Sequence, residues 1–233
     1  MHPPIQHYKN RILAALPKAE IDRLAPHFSP VTLKQEQTLM DGRAKYAYFL
    51  EQGMASVVIG LKNGNTVEVG VIGVDGMVGL PILFGTDGPP GRTFIQIEAS
   101  GYRIKAKTLK EEFERRGELR RLLQKYVHGF LVQTAQTAAC NRQHGIEERL
   151  ARWLLTCRDR MESDRLMLTH DFLGQMLGAP RTTVTLAAGL LHRAGLIDYS
   201  RGVVTIQNRA QLERTACECY QTVRDEFRRL ALL

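Results

Sequence analysis

Residues 180–193 read Pro-Arg-Thr-Thr-Val-Thr-Leu-Ala-Ala-Gly-Leu-Leu-His-Arg, and their side chains suit recognition rather than bond making. Wound as a helix, the segment turns Val184, Ala187, Ala188 and Leu191 to one side on the i, i+3, i+4, i+7 rule. The other side shows Arg181, Thr182, Thr185, Gly189, His192 and Arg193. An arginine fork can grip O6 and N7 of guanine, and threonine suits phosphate, base edge or thymine methyl. Gly189 has no side chain to hold another backbone away. An ordinary solvated face more often carries Glu and Lys pairs, whereas this one is neutral to positive. Further on, the Ser200-Arg201-Gly202 turn puts an arginine at a tip where it can meet a phosphate. Catalysis is not signalled. No Ser/His/Asp order, phosphate loop or paired-carboxylate motif stands out, and the glycines of 70–79 follow strand-like sequence without opening a helix. We expect no enzyme and no catalytic residue.

Metal chemistry has few candidates. Four cysteines in a chain of 233 residues do not make a disulfide framework and read as free thiols. Cys140 and His144 are four apart on a helix, a spacing that suits two ligands of one soft metal, and a two-fold dimer could supply two more. A half-buried thiol near a helix end is the plainer reading. Cys217 and Cys219 read as lying on the helix after Asn208, where residues two apart point to nearly opposite sides, so they are poor co-ligands. His128 has the chemistry of a haem ligand, but a histidine on a mostly apolar helix is more often simply packed. The expectation is no metal site.

The arginine face needs a frame. Thr169 is a good N-cap for a helix whose first turn holds His170 and Asp171 and whose inner face is Phe172, Leu173, Met176 and Leu177. Gly178 stops that helix where left-handed backbone is needed, and Pro180 can take the first position of the next. A helix that ends in Gly and restarts at Pro two residues later must turn sharply, which is the helix-turn-helix layout. Leu196–Tyr199 and Val203–Ile206 then make a small hairpin, a wing with Arg201 at its tip.

Upstream, residues 9–25 form an amphipathic helix with Ile12, Leu13, Leu16, Ile21 and Leu24 apolar and Pro17 breaking its middle. Short β-rich runs follow at Val31–Leu33, Tyr46–Leu50, Ala55–Leu61, Thr66–Ile72, Phe94–Ile97 and Tyr102–Ile104, with Asn63-Gly64-Asn65 as a hairpin turn and Gly85–Gly91 as a loop. From about Thr108 the period is helical. Leu119, Leu123, Tyr126 and Phe130 make one stripe, and Val127, Leu131, Thr134 and Ala138 a second. Two stripes need two surfaces to bury them, the helix's own β-domain and a partner helix, so a homodimer through this helix is expected. Gly145 is a hinge, and Ile146–Met161 resumes the helix with Leu150, Trp153, Leu154 and Cys157 on one face. The fold class is α+β, divided as 1–107, 108–144 and 145–233. The net charge is +8, of which residues 1–145 hold +6, while residues 146–233 have arginine and no lysine. No apolar run reaches membrane-span length, and Met1-His2-Pro3-Pro4 lacks the layout of a signal peptide, so a cytoplasmic protein without membrane contact is expected.

The order of these parts resembles the Crp/Fnr family of bacterial transcription regulators, most specifically at Gly178-Ala179-Pro180-Arg181-Thr182-Thr183-Val184. The resemblance covers almost the whole chain. It implies an N-terminal antiparallel β-barrel or jelly roll of the cyclic-nucleotide-binding type, a long dimerisation helix and a C-terminal winged helix-turn-helix. It implies double-stranded operator DNA and RNA polymerase as partners; the alternative reading is a ligand-binding signalling module whose helical tail docks a protein partner instead of DNA. On it, Arg181 matches the guanine-reading arginine, Thr182 falls where many members have a base-reading glutamate, Thr183 matches a hydroxyl near the phosphates, and Thr169 matches the residue anchoring the first helix to the DNA backbone. The effector side departs from the pattern. In cyclic-nucleotide-binding members a Gly-Glu-Leu turn holds the ribose, whereas here Gly79-Leu80-Pro81 puts Leu80 in the glutamate's place, and leucine cannot accept the 2′-hydroxyl. Arg92 and Thr93 match the pair that holds the cyclic phosphate, and Thr134 falls near the adenine contact. A cyclic nucleotide, another small effector and no effector all stay open. The family's iron–sulfur sensors need cysteines near the N-terminus; the first here is Cys140, so neither that cluster nor haem is expected.

Overall fold

The computed structural model describes residues 8–62, 66–88 and 91–232, with His170 and Asp171 described by backbone alone. The Asn63-Gly64-Asn65 turn, Met1–Pro4, the prolines of the Gly85–Gly91 loop and the expected acid in the first turn after Thr169 lie outside the described residues.

Apolar spacing and Pro17 make the lead-in two short helices, α1 (Arg11–Ala14) and α2 (Lys18–Leu24), whose Ile12, Leu13 and Leu24 are buried. Strands β1 (Ser29–Leu33), β2 (Thr38–Asp41), β3 (Tyr46–Gly60) and β4 (Thr66–Ile72) precede a one-turn helix α3 (Pro81–Phe84), and β5 (Arg92–Lys105) follows. All pairings are antiparallel, in the order β1-β5-β3-β4 with β2 also on β5. The strands form a rolled sheet with β1 and β4 at its free edges among the described residues.

Two strands are longer than their sequence suggests. Glu51-Gln52-Gly53 reads as a turn between two runs, yet β3 passes through it by slipping register between Leu50 and Ala55. Gly53 makes this possible: its φ is +84°, and a Cβ there would lie 2.3 Å from the Glu98 carbonyl oxygen. β5 likewise joins two expected runs. The helix expected over 108–144 is also corrected, because it is two helices, α4 (Ala106–Glu114) and α5 (Glu118–Gln143). The break has a local cause. The Glu20 carboxylate accepts from the backbone N–H groups of Glu118 and Leu119 at 2.8 and 2.9 Å and so caps α5 from outside. A Cβ on Gly117 would stand 2.6 Å from that carboxylate.

Beyond Gly145 the chain continues as α6 (Ile146–Met161), β6 (Arg165–Met167), α7 (His170–Leu177), α8 (Arg181–Arg193), β7 (Ile197–Ser200), β8 (Val203–Ile206), α9 (Arg209–Thr215) and α10 (Cys219–Arg229). β6 adds a third strand to the wing, in the order β6-β8-β7. The Gly145 N–H donates to the Glu148 carboxylate at 2.8 Å, so Gly145 opens α6 with a capping interaction.

Two cores hold the molecule. One lies between the concave sheet, α1, α2 and the first half of α5, and takes Phe227, Leu230 and Leu232 from the end of the chain. The other joins Met54, Val58, Val71, Phe94 and Ile97 of the sheet to the inner faces of α6, α7 and α8. No helix among the described residues is long and apolar enough to cross a membrane.

Candidate nucleic-acid interface

The turn between α7 and α8 is fixed by backbone chemistry. Thr169 caps α7, its hydroxyl oxygen accepting from the Phe172 N–H at 3.2 Å. At the other end Gly178 has φ +58°, the Gly178 N–H bonds the Gln175 carbonyl at 3.3 Å, and the Ala179 N–H bonds the Gly174 carbonyl at 3.0 Å. This pair of bonds is a Schellman stop. Gly174 matters as much as Gly178, since a Cβ there would meet the Ala179 carbonyl oxygen at 2.9 Å. Pro180 sits one place earlier than expected: it is the N-cap of α8, extended at ψ 141°, and Arg181 is the first helical residue. Its carbonyl still accepts from the Val184 N–H.

With the turn set, α8 presents the expected faces. Val184, Ala187, Ala188 and Leu191 are buried, while Arg181, Thr182, Thr185, Leu186 and Arg193 are exposed and Thr183 is half-buried. A Cβ on Gly189 would touch nothing but the Arg193 guanidinium, at 3.4 Å, so the packing of this chain does not require glycine there. The wing stands beside α7. The Leu168 N–H donates to the Gly202 carbonyl at 2.8 Å, and a Cβ on Gly202 would lie 3.7 Å from the Thr169 methyl. Arg201, exposed and held at φ +49°, is therefore next to the α7 cap. Thr169 and Arg201 are thus neighbours at one exposed end of α7, and the exposed start of α8 follows its other end.

The effector-side residues are dispersed. Gly79 packs against Tyr46 and Ala47 at the start of β3, and Leu80 is half-buried just before α3. Arg92 and Thr93 pair with Val58 and Val57 near the end of the same strand. Thr93 is buried, whereas Arg92 is exposed with its guanidinium 4.7 Å from the Phe94 ring centre. The Thr134 hydroxyl donates back to the Phe130 carbonyl of its own helix at 2.9 Å. Two surface clefts, one along the Arg116–Gln124 turn and one between Pro30–Thr32 and Ser100–Tyr102, contain none of these five residues.

Three buried polar groups escaped the sequence reading. Glu68 on β4 is enclosed between the sheet and α6. It accepts from the Trp153 indole N–H at 2.7 Å and from the Ser56 hydroxyl, and Arg152 and Arg160 lie near. Loss of hydration nonetheless dominates and pushes its carboxyl up to about 7. Asp75, in the turn after β4, pairs with Arg160 at 2.8 Å, and Arg160 donates to Gln133 of α5 at 3.0 Å, so one buried arginine of α6 touches both that turn and the long helix. Finally, Cys217 and Cys219 are not on one helix. α9 ends at Thr215 and α10 begins at Cys219, so the link between them lets both thiols face Cys140 and His144. The reading of this pair as poor co-ligands is thereby corrected. A hydrogen bond from Cys217 lowers the Cys140 thiol to about 5, and the same contact, with burial, raises Cys217. A Cys-x-Cys pair between two helical periods was the available signal.

Residues 148–215 match the family model of the Crp-like helix-turn-helix domain. Among solved structures, the chain is similar to a Crp/Fnr-family transcriptional regulator from Eubacterium rectale, at 16% identity and a TM-score of 0.67, covering 86% of this chain and 94% of that one. The c-di-GMP-responsive global regulator CLP of Xanthomonas campestris matches at 17% identity and a TM-score of 0.66, over 82% of this chain and 99% of its own. A Crp/Fnr-family transcriptional regulator from Thermus thermophilus matches at 19% identity and a TM-score of 0.64, over 81% and 98%. No curated protein matches the chain in sequence. The fold is that of the Crp/Fnr regulators.

Proposed function

We propose that this chain, with a Crp/Fnr-type fold and a Crp-like helix-turn-helix domain, is a homodimeric transcription regulator that reads a pseudo-palindromic operator. The observation that carries this reading is the two-sided α8: its apolar face is buried while Arg181, Thr182 and Thr185 are exposed at the N-terminal end that enters a major groove. Arg181 would grip guanine, Thr182 and Thr185 would meet base edges or thymine methyls, and Thr183, Thr169 and Arg201 would hold phosphates. Two such helices about 34 Å apart would read successive major grooves.

The dimer rests on the second stripe of α5. Leu131 is 64% exposed and Ala138 is exposed, while Val127 and Thr134 are half-covered, which leaves an apolar strip for a second copy of the helix. The division into a sensor part (1–107), a dimerisation segment (108–144) and a DNA-binding part (145–233), RNA polymerase as a partner and a cytoplasmic place of action belong to the same proposal. On the sensor side, Arg92 offers a cation to an anionic effector, and Leu80 offers nothing to a ribose hydroxyl. Effector binding would act by favouring one arrangement of the two recognition helices.

The test is operator selection from random DNA followed by titration with Arg181→Ala. The variant is expected to lose about 1 to 3 kcal/mol on the selected site, about 5- to 150-fold, with nonspecific binding nearly unchanged. Wild-type binding should weaken steeply between about 50 and 200 mM salt. Equal losses on selected and random DNA would remove Arg181 from base reading, and a salt-independent complex would remove DNA as the partner.

A further inference from the structure

Four soft ligand atoms converge where the long helix meets the C-terminal part. Cys140 Sγ lies 3.5 Å from Cys217 Sγ, Cys219 Sγ lies 3.5 Å from His144 Nδ1, and all four atoms fall within 4.8 Å of one another. The three thiols are buried and form a cluster of their own among the described residues, so no hydrocarbon packing accounts for their convergence. We propose that Cys140, His144, Cys217 and Cys219 bind a single zinc ion in a closed tetrahedral site.

The dimensions choose one ion over a cluster. A tetrahedron with metal–sulfur bonds of about 2.3 Å has edges of about 3.8 Å, close to the spacing here, whereas several irons and sulfides between the ligands would need wider edges. Three cysteines and one histidine are a common structural zinc set. The surroundings suit it as well. The Glu218 carboxylate lies 3.1 Å from His144 Nε2, on the far side of the ring from the thiols, which fixes Nδ1 as the free lone pair facing them. The Gln136 amide donates to Cys219 Sγ at 3.1 Å. Three thiolates and a dication leave one net negative charge, and Arg149 and Arg152 stand close enough to act on Cys140. On binding, the ion replaces the thiol protons, which pass to solvent.

Place suggests purpose. Cys140 is in the last turn of α5, His144 immediately precedes the Gly145 hinge, and Cys217 and Cys219 flank the corner between α9 and α10. A bound ion would fasten the hinge to that corner, with ligands from parts of the chain over 70 residues apart.

The full chain, untagged and purified without oxygen or chelator, should contain about one zinc per chain by elemental analysis. Exchange with cobalt(II) should give sulfur-to-cobalt charge-transfer absorption and the d–d bands of a tetrahedral site. Cys219→Ser should abolish both. Because Cys219 is buried, His144→Gln, at a partly exposed position, serves as the second variant. It should keep the fold by circular dichroism and weaken zinc in chelator competition by at least tenfold. Four thiols with no metal, a Cys140–Cys217 disulfide in the anaerobic protein, an iron–sulfur chromophore, or zinc affinity unchanged in His144→Gln would each overturn the proposal. None of these outcomes bears on whether the chain binds DNA.

Discussion

Replacing Glu68 by glutamine tests whether the sheet and the winged part are held through a carboxyl that must stay protonated. Glu68 is fully enclosed and its carboxyl is raised from 4.5 to about 7. A raised folded-state value means the native state prefers the proton, so the stability it contributes is full below about 4.5 and is lost as pH rises through about 7. At 1.36 kcal/mol per tenfold change, the full effect is about 3 kcal/mol, with about 2 to 3 kcal/mol falling between pH 5 and pH 8. Glutamine imitates the protonated acid. Its carbonyl can accept from Trp153 and its amide can donate to Ser56, so both bonds survive. Urea unfolding of the wild type and the variant at a series of pH values isolates this group, because every other titration is common to both. The variant should match the wild type near pH 5 and exceed its stability by about 2 to 3 kcal/mol at pH 8. Parallel pH profiles would show that Glu68 does not hold its proton in the native state, and the reasoning would fail.

Other predictions address the proposed interfaces. Leu131→Glu puts a charge into the exposed strip of α5 and should convert a dimer to a monomer in sedimentation equilibrium; an unchanged mass would move the dimer interface elsewhere. Gly189→Ala should stabilise α8 by about 0.5 to 1 kcal/mol and weaken operator binding, because only a close external surface excludes the methyl. Unchanged affinity would show that this part of α8 stays clear of DNA. Arg201→Gly relieves the left-handed φ of +49° and should leave thermal stability equal or higher. It should weaken DNA binding on every sequence and reduce the salt slope by about 1.

What could be read in advance was local. The inward quartet of α8, the Thr169 cap and the Gly178 stop each depend on neighbours within one or two turns, and spacing alone exposes them. Glu68 was hidden because an acid among alternating strand residues reads as facing water, while the Trp153 that encloses it lies 85 residues away. The same holds for Arg160, whose partners Asp75 and Gln133 come from separate elements. β3 and β5 read as shorter runs because glycines that permit bulges look like glycines that end strands. Cys217 and Cys219 were misjudged by one assumption, that the helix after Asn208 continued through them. On the effector side, Leu80 showed at once that one ligand contact was missing, but no spacing rule places Gly79 and Arg92 relative to one another.

The second core also bears on heredity. Chains built from two parts exchange those parts most readily where few contacts cross the joint. Here the floor under α6, α7 and α8 is laid partly by Met54, Val58 and Val71 of the sheet, and Trp153 of α6 keeps a hydrogen bond with the Glu68 carboxyl of β4. A gene fusion at Gly145 that replaced everything before it would leave that indole N–H and the apolar inner faces of α6, α7 and α8 without matching surfaces. The two halves of this chain are therefore bound to change together, since a change in that floor must be met by one in the helices that rest on it.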